Sequence, residues 1–217
     1  MPPAAELQYD VRATRKGMSL PAQSVLRWQP AAGSYQARME FKALFVGARS
    51  QTSVGTLSAA DGLIPTRYGD KNRSEQATHF DRTRQPPVLR FSANTPDQPL
   101  QPHTQDRLSV LLQLGAMLAG EPARFAPGQT VTLHTAGPKD ADLWQFRVGN
   151  TTALNLPAGT LEAVHLDRAP LHTYDNRVEV WLAPSLGYLP VRILWTQANG
   201  DVVDQQLARH SPLPLTP

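Results

Sequence analysis

Two pairs of side chains in this chain have the types and spacing for acid–base or metal chemistry: His79 with Asp81, and His165 with Asp167. Residues two apart on a strand point to the same face, so each imidazole has a carboxylate beside it. Such a carboxylate orients a histidine tautomer or supplies part of a metal site. A strand face turned to water has the same composition, and neither pair has a third ligand nearby in the sequence. None of the six histidines shows the His-Glu-x-x-His spacing of a zinc-binding helix.

Other chemistry is excluded more directly. The chain has no cysteine, which removes disulfides, thiolate nucleophiles and cysteine zinc sites. It has no Gly-x-Ser-x-Gly elbow, and the segments around Ser92, Ser109 and Ser185 lack the strand-to-helix turn that exposes a nucleophile. No glycine-rich phosphate loop is present. The expectation is a non-enzymatic protein with no metal and no cofactor. An enzyme of a cell-wall glycan or lipid would need His79, Asp81, His165 and Asp167 to converge in one cleft.

Charge narrows the partners. A net charge of +3 and a pI near 9.4 are mild for a nucleic-acid binder. Arg67, Lys71, Arg73, Arg82 and Arg84 form a locally basic stretch, countered by Asp70, Glu75 and Asp81. It reads either as a patch for anionic head groups, acidic glycans or a protein partner, or as alternating charge that blunts strand edges. Aromatic residues do not interleave with it as stacking on bases requires, so no nucleic-acid partner is expected. No apolar run approaches the roughly 18 residues of a transmembrane segment.

The elements that would position these groups are mostly strands. Tyr35, Ala37, Met39, Phe41, Ala43 and Phe45 alternate with Gln36, Arg38, Glu40 and Lys42, the pattern of a long strand with one buried face. Strands are also expected at Leu7–Thr14, Val25–Trp28, Arg49–Leu57, Ile64–Tyr68, Gln76–Phe80 and Val88–Phe91. Later ones fall at Thr130–Thr135, Asp142–Val148, Thr152–Leu156, Leu161–Asp167, Arg177–Leu182, Val191–Thr196 and Val202–Leu207. Turn signals such as Gly149-Asn150 and Asn199-Gly200 separate them. Gly62-Leu63-Ile64-Pro65-Thr66-Arg67-Tyr68 is echoed by Gly187-Tyr188-Leu189-Pro190-Val191-Arg192-Ile193, which hints at two related units.

One stretch departs from this pattern. Gln105 to Ala119 has helical periodicity, with Thr104 as N-cap and Gly120-Glu121-Pro122 as its stop. Its apolar arc spans roughly 220°, about twice what a helix lying on a flat sheet requires. A curved antiparallel sheet, a half-barrel or incomplete barrel, is therefore expected to embrace it. Tyr35, Met39, Phe41, Phe45, Leu111, Leu114, Met117, Leu118, Trp144 and Phe146 would then be core, or would line an apolar ligand pocket between sheet and helix. Residues 1–210 read as one β-rich domain and 211–217 as a proline-rich tail.

Several short motifs carry a family resemblance: Leu7-Gln8-Tyr9-Asp10-Val11, the Gly62–Tyr68 turn, His79-Phe80-Asp81, Gln105–Leu114, Val180-Trp181-Leu182-Ala183-Pro184, and Tyr188–Ile193. Together they resemble the proteobacterial envelope family of unknown function numbered 3108. The resemblance implies a curved antiparallel sheet around a helix, similar to the half-barrels of the periplasmic lipoprotein carriers. It also implies periplasmic localisation through an N-terminal leader, with Met1-Pro2-Pro3-Ala4-Ala5 as a start just after the removed leader. The expected partner is a lipid or other hydrophobic envelope molecule. The alternative is a structural or protein-binding envelope module with a filled core.

Overall fold

Period-two burial propagates through consecutive hairpins and dictates the architecture. The computed structural model describes residues 1–15, 17–43 and 47–214. The first strands are β1 (Ala5–Arg15), β2 (Met18–Ala31), β3 (Ser34–Ala43), β4 (Gly47–Ser58), β5 (Gly62–Lys71), β6 (Glu75–Asp81), β7 (Val88–Phe91), β8 (Gln98–Pro99) and β9 (Gln105–Asp106). The helix α1 (Ser109–Gly120) follows. Then come β10 (Thr130–Ala136), β11 (Ala141–Leu156), β12 (Gly159–Arg168), β13 (Arg177–Ala183), β14 (Leu189–Thr196) and β15 (Val202–Pro212).

These strands form one sheet in the order β8-β7-β6-β5-β4-β3-β2-β1-β15-β14-β13-β12-β11-β10-β9. Neighbours are antiparallel except β9, which runs parallel to β10. No ladder joins the two ends, yet side chains bridge them. Thr78 of β6 donates to Gly137 O just beyond β10 (2.7 Å), and Ser53 of β4 donates to Asp106 of β9 (2.6 Å). The expected incomplete barrel is therefore present, and α1 lies inside it. Leu108, Val110, Leu111, Leu112, Leu114 and Leu118 are all at most 3 % exposed. The wide apolar arc is buried on the sheet's concave side, as its width demanded.

Four local expectations need correction. Gln105 and Asp106 are not helical: their backbone pairs with Thr135 and Ala136, and the helix begins at Ser109. Thr104 is not the cap; its hydroxyl donates to Gln101 O (2.7 Å) and sits 2.9 Å from His134 Nδ1. The Asp106 carboxylate takes the capping role, accepting from the Leu108 and Ser109 N–H groups (2.9 and 2.7 Å). Ser109 Oγ in turn accepts from Asp106 N–H (2.8 Å), the reciprocal arrangement of a capping box. Gly149-Asn150 is not a turn but a register irregularity within β11, which merges two expected strands. β15 also runs past residue 210, pairing Ser211 with Glu6 and Pro212 with Ala5.

The repeated heptapeptides occupy equivalent places. In the β4–β5 ladder, Val54 faces Arg67 and Gly55 faces Pro65, leaving Thr66 as the extra residue. In the β13–β14 ladder, Trp181 faces Arg192 and Leu182 faces Pro190, leaving Val191. The bulge thus falls at the same motif position in both. Proline lacks a donor and suits a broken ladder. In each copy the proline carbonyl is taken by a distant side chain, Arg82 for Pro65 (2.6 Å) and Tyr9 for Pro190 (2.8 Å). α1 packs between the two copies.

Candidate functional site

A cleft of about 650 Å³ lies beside the helix where α1 emerges between the β4–β5 turn and β10. Leu57, Ala60, Ala116, Met117, Phe125 and Leu133 supply its apolar surface. Its polar groups are mutually paired: His103 lies 3.4 Å from Asp61, and Arg124 lies 3.2 Å from Glu121. Gln113 fixes the wall. Its Oε1 accepts from Leu63 N–H (2.8 Å) and its Nε2 donates to Asp61 O (3.1 Å). Gln105 donates to Leu63 O (2.8 Å). Those two glutamines satisfy the edge of β5 that β6 leaves unpaired, since the β5–β6 ladder begins only at Arg67. Gly62 has φ +73, and a Cβ there would collide with the Gln113 amide. The turn therefore requires glycine for two reasons.

A buried polar network lies deeper. Asp106 is fully buried, and Ser53 links it to the Tyr35 hydroxyl (2.9 Å). Burial pushes the Asp106 carboxyl up to about 6, although the hydrogen bonds from Ser53, Ser109 and Leu108 oppose the rise. Farther along the same face, Gln51 donates to Tyr68 Oη (2.8 Å), and Arg49 forms a two-pronged pair with Asp70. Burial raises the Asp70 carboxyl, but the Arg49 guanidinium outweighs it and holds the group below the usual carboxylate range.

The residues expected to form an apolar pocket fall into three groups. Tyr35, Met39, Leu111, Leu114, Leu118, Trp144 and Phe146 belong to one continuous core, at most 5 % exposed. Met117 faces the cleft just described. Phe41 lines a separate space of about 350 Å³ beside Lys42 and Arg49, and Phe45 lies outside the described residues. Trp28, Tyr68, Phe146, Leu112 and Leu114 are 0 % exposed, so no water-sized void touches them. Sequence reasoning missed Leu57, Ala60, Phe125 and Leu133 as cleft residues. No sequence signal set them apart from core or connection: Leu133 lies mid-strand in β10, Leu57 near the end of β4, and Ala60 and Phe125 between elements.

The two histidine–carboxylate pairs are engaged locally. Asp81 accepts from Thr83, and Asp167 holds Arg177 through two 2.9 Å bonds. His165 stacks on Trp181 with ring centroids 4.5 Å apart. In sheet order eight strands separate β6 from β12, and no metal-holding cluster of three such groups occurs among the described residues. The basic stretch is likewise divided. Arg67 pairs with Glu75 (2.6 Å), Arg82 reaches Pro65 O, and Arg84 lies near Asp81 and Asp97 (3.8 and 3.6 Å). Lys71 and Arg73 project from the β5–β6 turn.

A helix held inside an unclosed antiparallel sheet, with an open cleft at the helix end, defines a barrel-like β protein. The chain belongs to the family described as Protein of unknown function (DUF3108), whose model matches residues 9–206. Among solved structures it is similar to a beta-barrel-like protein of the domain of unknown function DUF1849 from Brucella abortus. The two share 12 % identity over 98 % of each chain with a TM-score of 0.63, a likeness of fold alone. A putative exported protein with a YmcC-like fold from Bacteroides fragilis aligns over 96 % of each chain at 12 % identity and a TM-score of 0.43. No curated protein matches the sequence. No helix among the described residues is long and apolar enough to cross a membrane.

Proposed function

We propose that the protein is a non-enzymatic periplasmic binder of a hydrophobic or amphipathic envelope molecule, held in the cleft at the emerging end of α1. The observation that carries this reading is the cleft itself. Its volume of about 650 Å³ falls within the usual 300–1,000 Å³ of small-molecule sites, and its lining joins an apolar floor to a few fixed polar groups. Each methylene buried there contributes about 0.8 kcal/mol, so an acyl chain of modest length suffices for useful affinity. The periplasmic placement and the ligand class both rest on what the family resemblance of the sequence motifs implies.

Titration with a fluorescent fatty-acid probe tests the proposal. The wild type is expected to bind saturably, and Met117→Lys, which places an ammonium group on the apolar floor, to weaken binding at least tenfold. Absence of saturable binding, or equal binding by the variant, overturns it. The filled core favours a second reading, a structural or partner-binding envelope module, and this becomes the account if no probe or co-purified lipid is held.

A further inference from the structure

Exposed apolar side chains are unevenly distributed. Of the five large ones among the described residues, only Met1 lines the helix-end cleft. Met18 (64 % exposed), Leu143 (55 %), Leu171 (54 %) and Tyr174 (90 %) are the others. Antiparallel pairing sends alternate turns to opposite ends of a sheet, so the β1–β2, β3–β4 and β5–β6 turns share one end. Because Thr14 pairs with Val202, the β14–β15, β12–β13 and β10–β11 connections lie at that end too. Met18 starts β2 there, Leu171 and Tyr174 sit in the β12–β13 connection, and Leu143 is two residues into β11. All four therefore lie at one rim of the sheet, opposite the β4–β5 turn that borders the cleft.

The same rim carries cations. Lys42 and Arg49 lie near the adjoining ends of β3 and β4, and Lys71 and Arg73 project from the β5–β6 turn. Four of the carboxylates at this rim are held in ion pairs: Asp70 by Arg49, Glu75 by Arg67, Asp140 by Arg107 and Asp175 by Arg168. Lys42, Lys71 and Arg73 enter no ion pair among the described residues, although Glu75 stands opposite Lys71 in the β5–β6 ladder and Glu40 lies within electrostatic reach of Lys42. Apolar and aromatic tips together with cations at one end of the sheet match the two signals of interfacial binding, shallow apolar insertion and attraction to anionic head groups. A tyrosine suits the boundary between them.

We propose that this rim docks the protein on an anionic lipid bilayer, with Met18, Leu143, Leu171 and Tyr174 entering the interface and Lys71 and Arg73 contacting acidic head groups. This surface is separate from the ligand cleft, and its test reads membrane partition rather than ligand affinity. Co-sedimentation with phosphatidylglycerol–phosphatidylcholine vesicles should show binding that weakens with salt and is absent with phosphatidylcholine alone. Each surface cation contributes about fivefold to partition, so Lys71→Glu with Arg73→Glu should reduce it at least about 25-fold. Leu171→Ser with Tyr174→Ser should reduce it comparably while circular dichroism and thermal midpoint stay unchanged. No partition into anionic vesicles, or partition indifferent to both double variants, overturns the proposal.

Discussion

The helix α1 is gripped on two flanks by the same sequence motif, and the grips differ. On the β5 side the glycine is in the turn: Gly62 makes room for a helix side chain, and Gln113 and Gln105 hold the Leu63 backbone. On the β14 side the turn glycine, Gly187 (φ +66), packs on Pro3 instead, and the helix supplies the close approach: a Cβ on Gly115 would lie 2.5 Å from Tyr188 O, so helix and turn backbones meet directly. One flank is a side-chain clamp and the other a backbone contact. The backbone contact leaves no space. The clamp spaces helix from sheet, and the cleft opens on that side, bounded by the β4–β5 turn. A duplicated turn has thus yielded one sealed flank and one open flank.

Substitution separates the two grips, and the sealed flank should give the largest effect. Gly115→Val should destabilise the fold by about 3 kcal/mol in urea unfolding, because neither backbone can yield and overpacking strains both. Gly115→Ala should also destabilise, against the gain of about 1 kcal/mol that an exposed helix would give. A stabilised alanine variant would show that the flank is not sealed.

The buried network at the start of α1 should respond to pH. The folded pKa of Asp106, about 6, lies above its ordinary value of 3.8, so the folded state binds the extra proton. Its ionisation therefore lowers stability as pH rises through 4 to 6, by up to about 3 kcal/mol at 1.36 kcal/mol per pH unit. Asp106→Asn, which keeps an oxygen for the cap, should flatten the stability–pH curve between those values. An unchanged curve would remove Asp106 from the account.

Smaller effects follow on each side. Gln113→Leu leaves the Leu63 N–H buried without a partner and should cost about 2 kcal/mol, while also weakening fatty-acid probe binding by loosening the cleft wall. Tyr9→Phe removes the bond to Pro190 O and should cost about 1 kcal/mol with no effect on probe binding. If both variants changed probe binding equally, the distinction between flanks would fail.

The parts of the fold that were legible in the sequence are those set by periodicity. Alternation from Tyr35 to Phe41 fixed which face of β3 is wet, and the arc of Leu108 to Leu118 announced a curved sheet. The helix start was misplaced because Gln105 and Asp106 satisfy helical spacing equally well; what decides their conformation is pairing with Thr135 and Ala136, a contact distant in sequence. Gly149-Asn150 misled for the opposite reason, since turn residues also serve bulges. The cleft was illegible because Met117 and Leu114, three residues apart, have the same chemistry. Only the sheet's opening makes one of them a wall and the other core.

The central claim, that the open flank receives an apolar ligand, is tested most directly by photolabelling with a diazirine-bearing fatty acid followed by peptide mapping. The account predicts crosslinks in residues 57–62, 116–125 and 132–133, competed by unlabelled fatty acid and reduced in Met117→Lys. Crosslinks concentrated around Tyr35, Met39, Trp144 and Phe146 would contradict it, and so would labelling that unlabelled fatty acid does not displace.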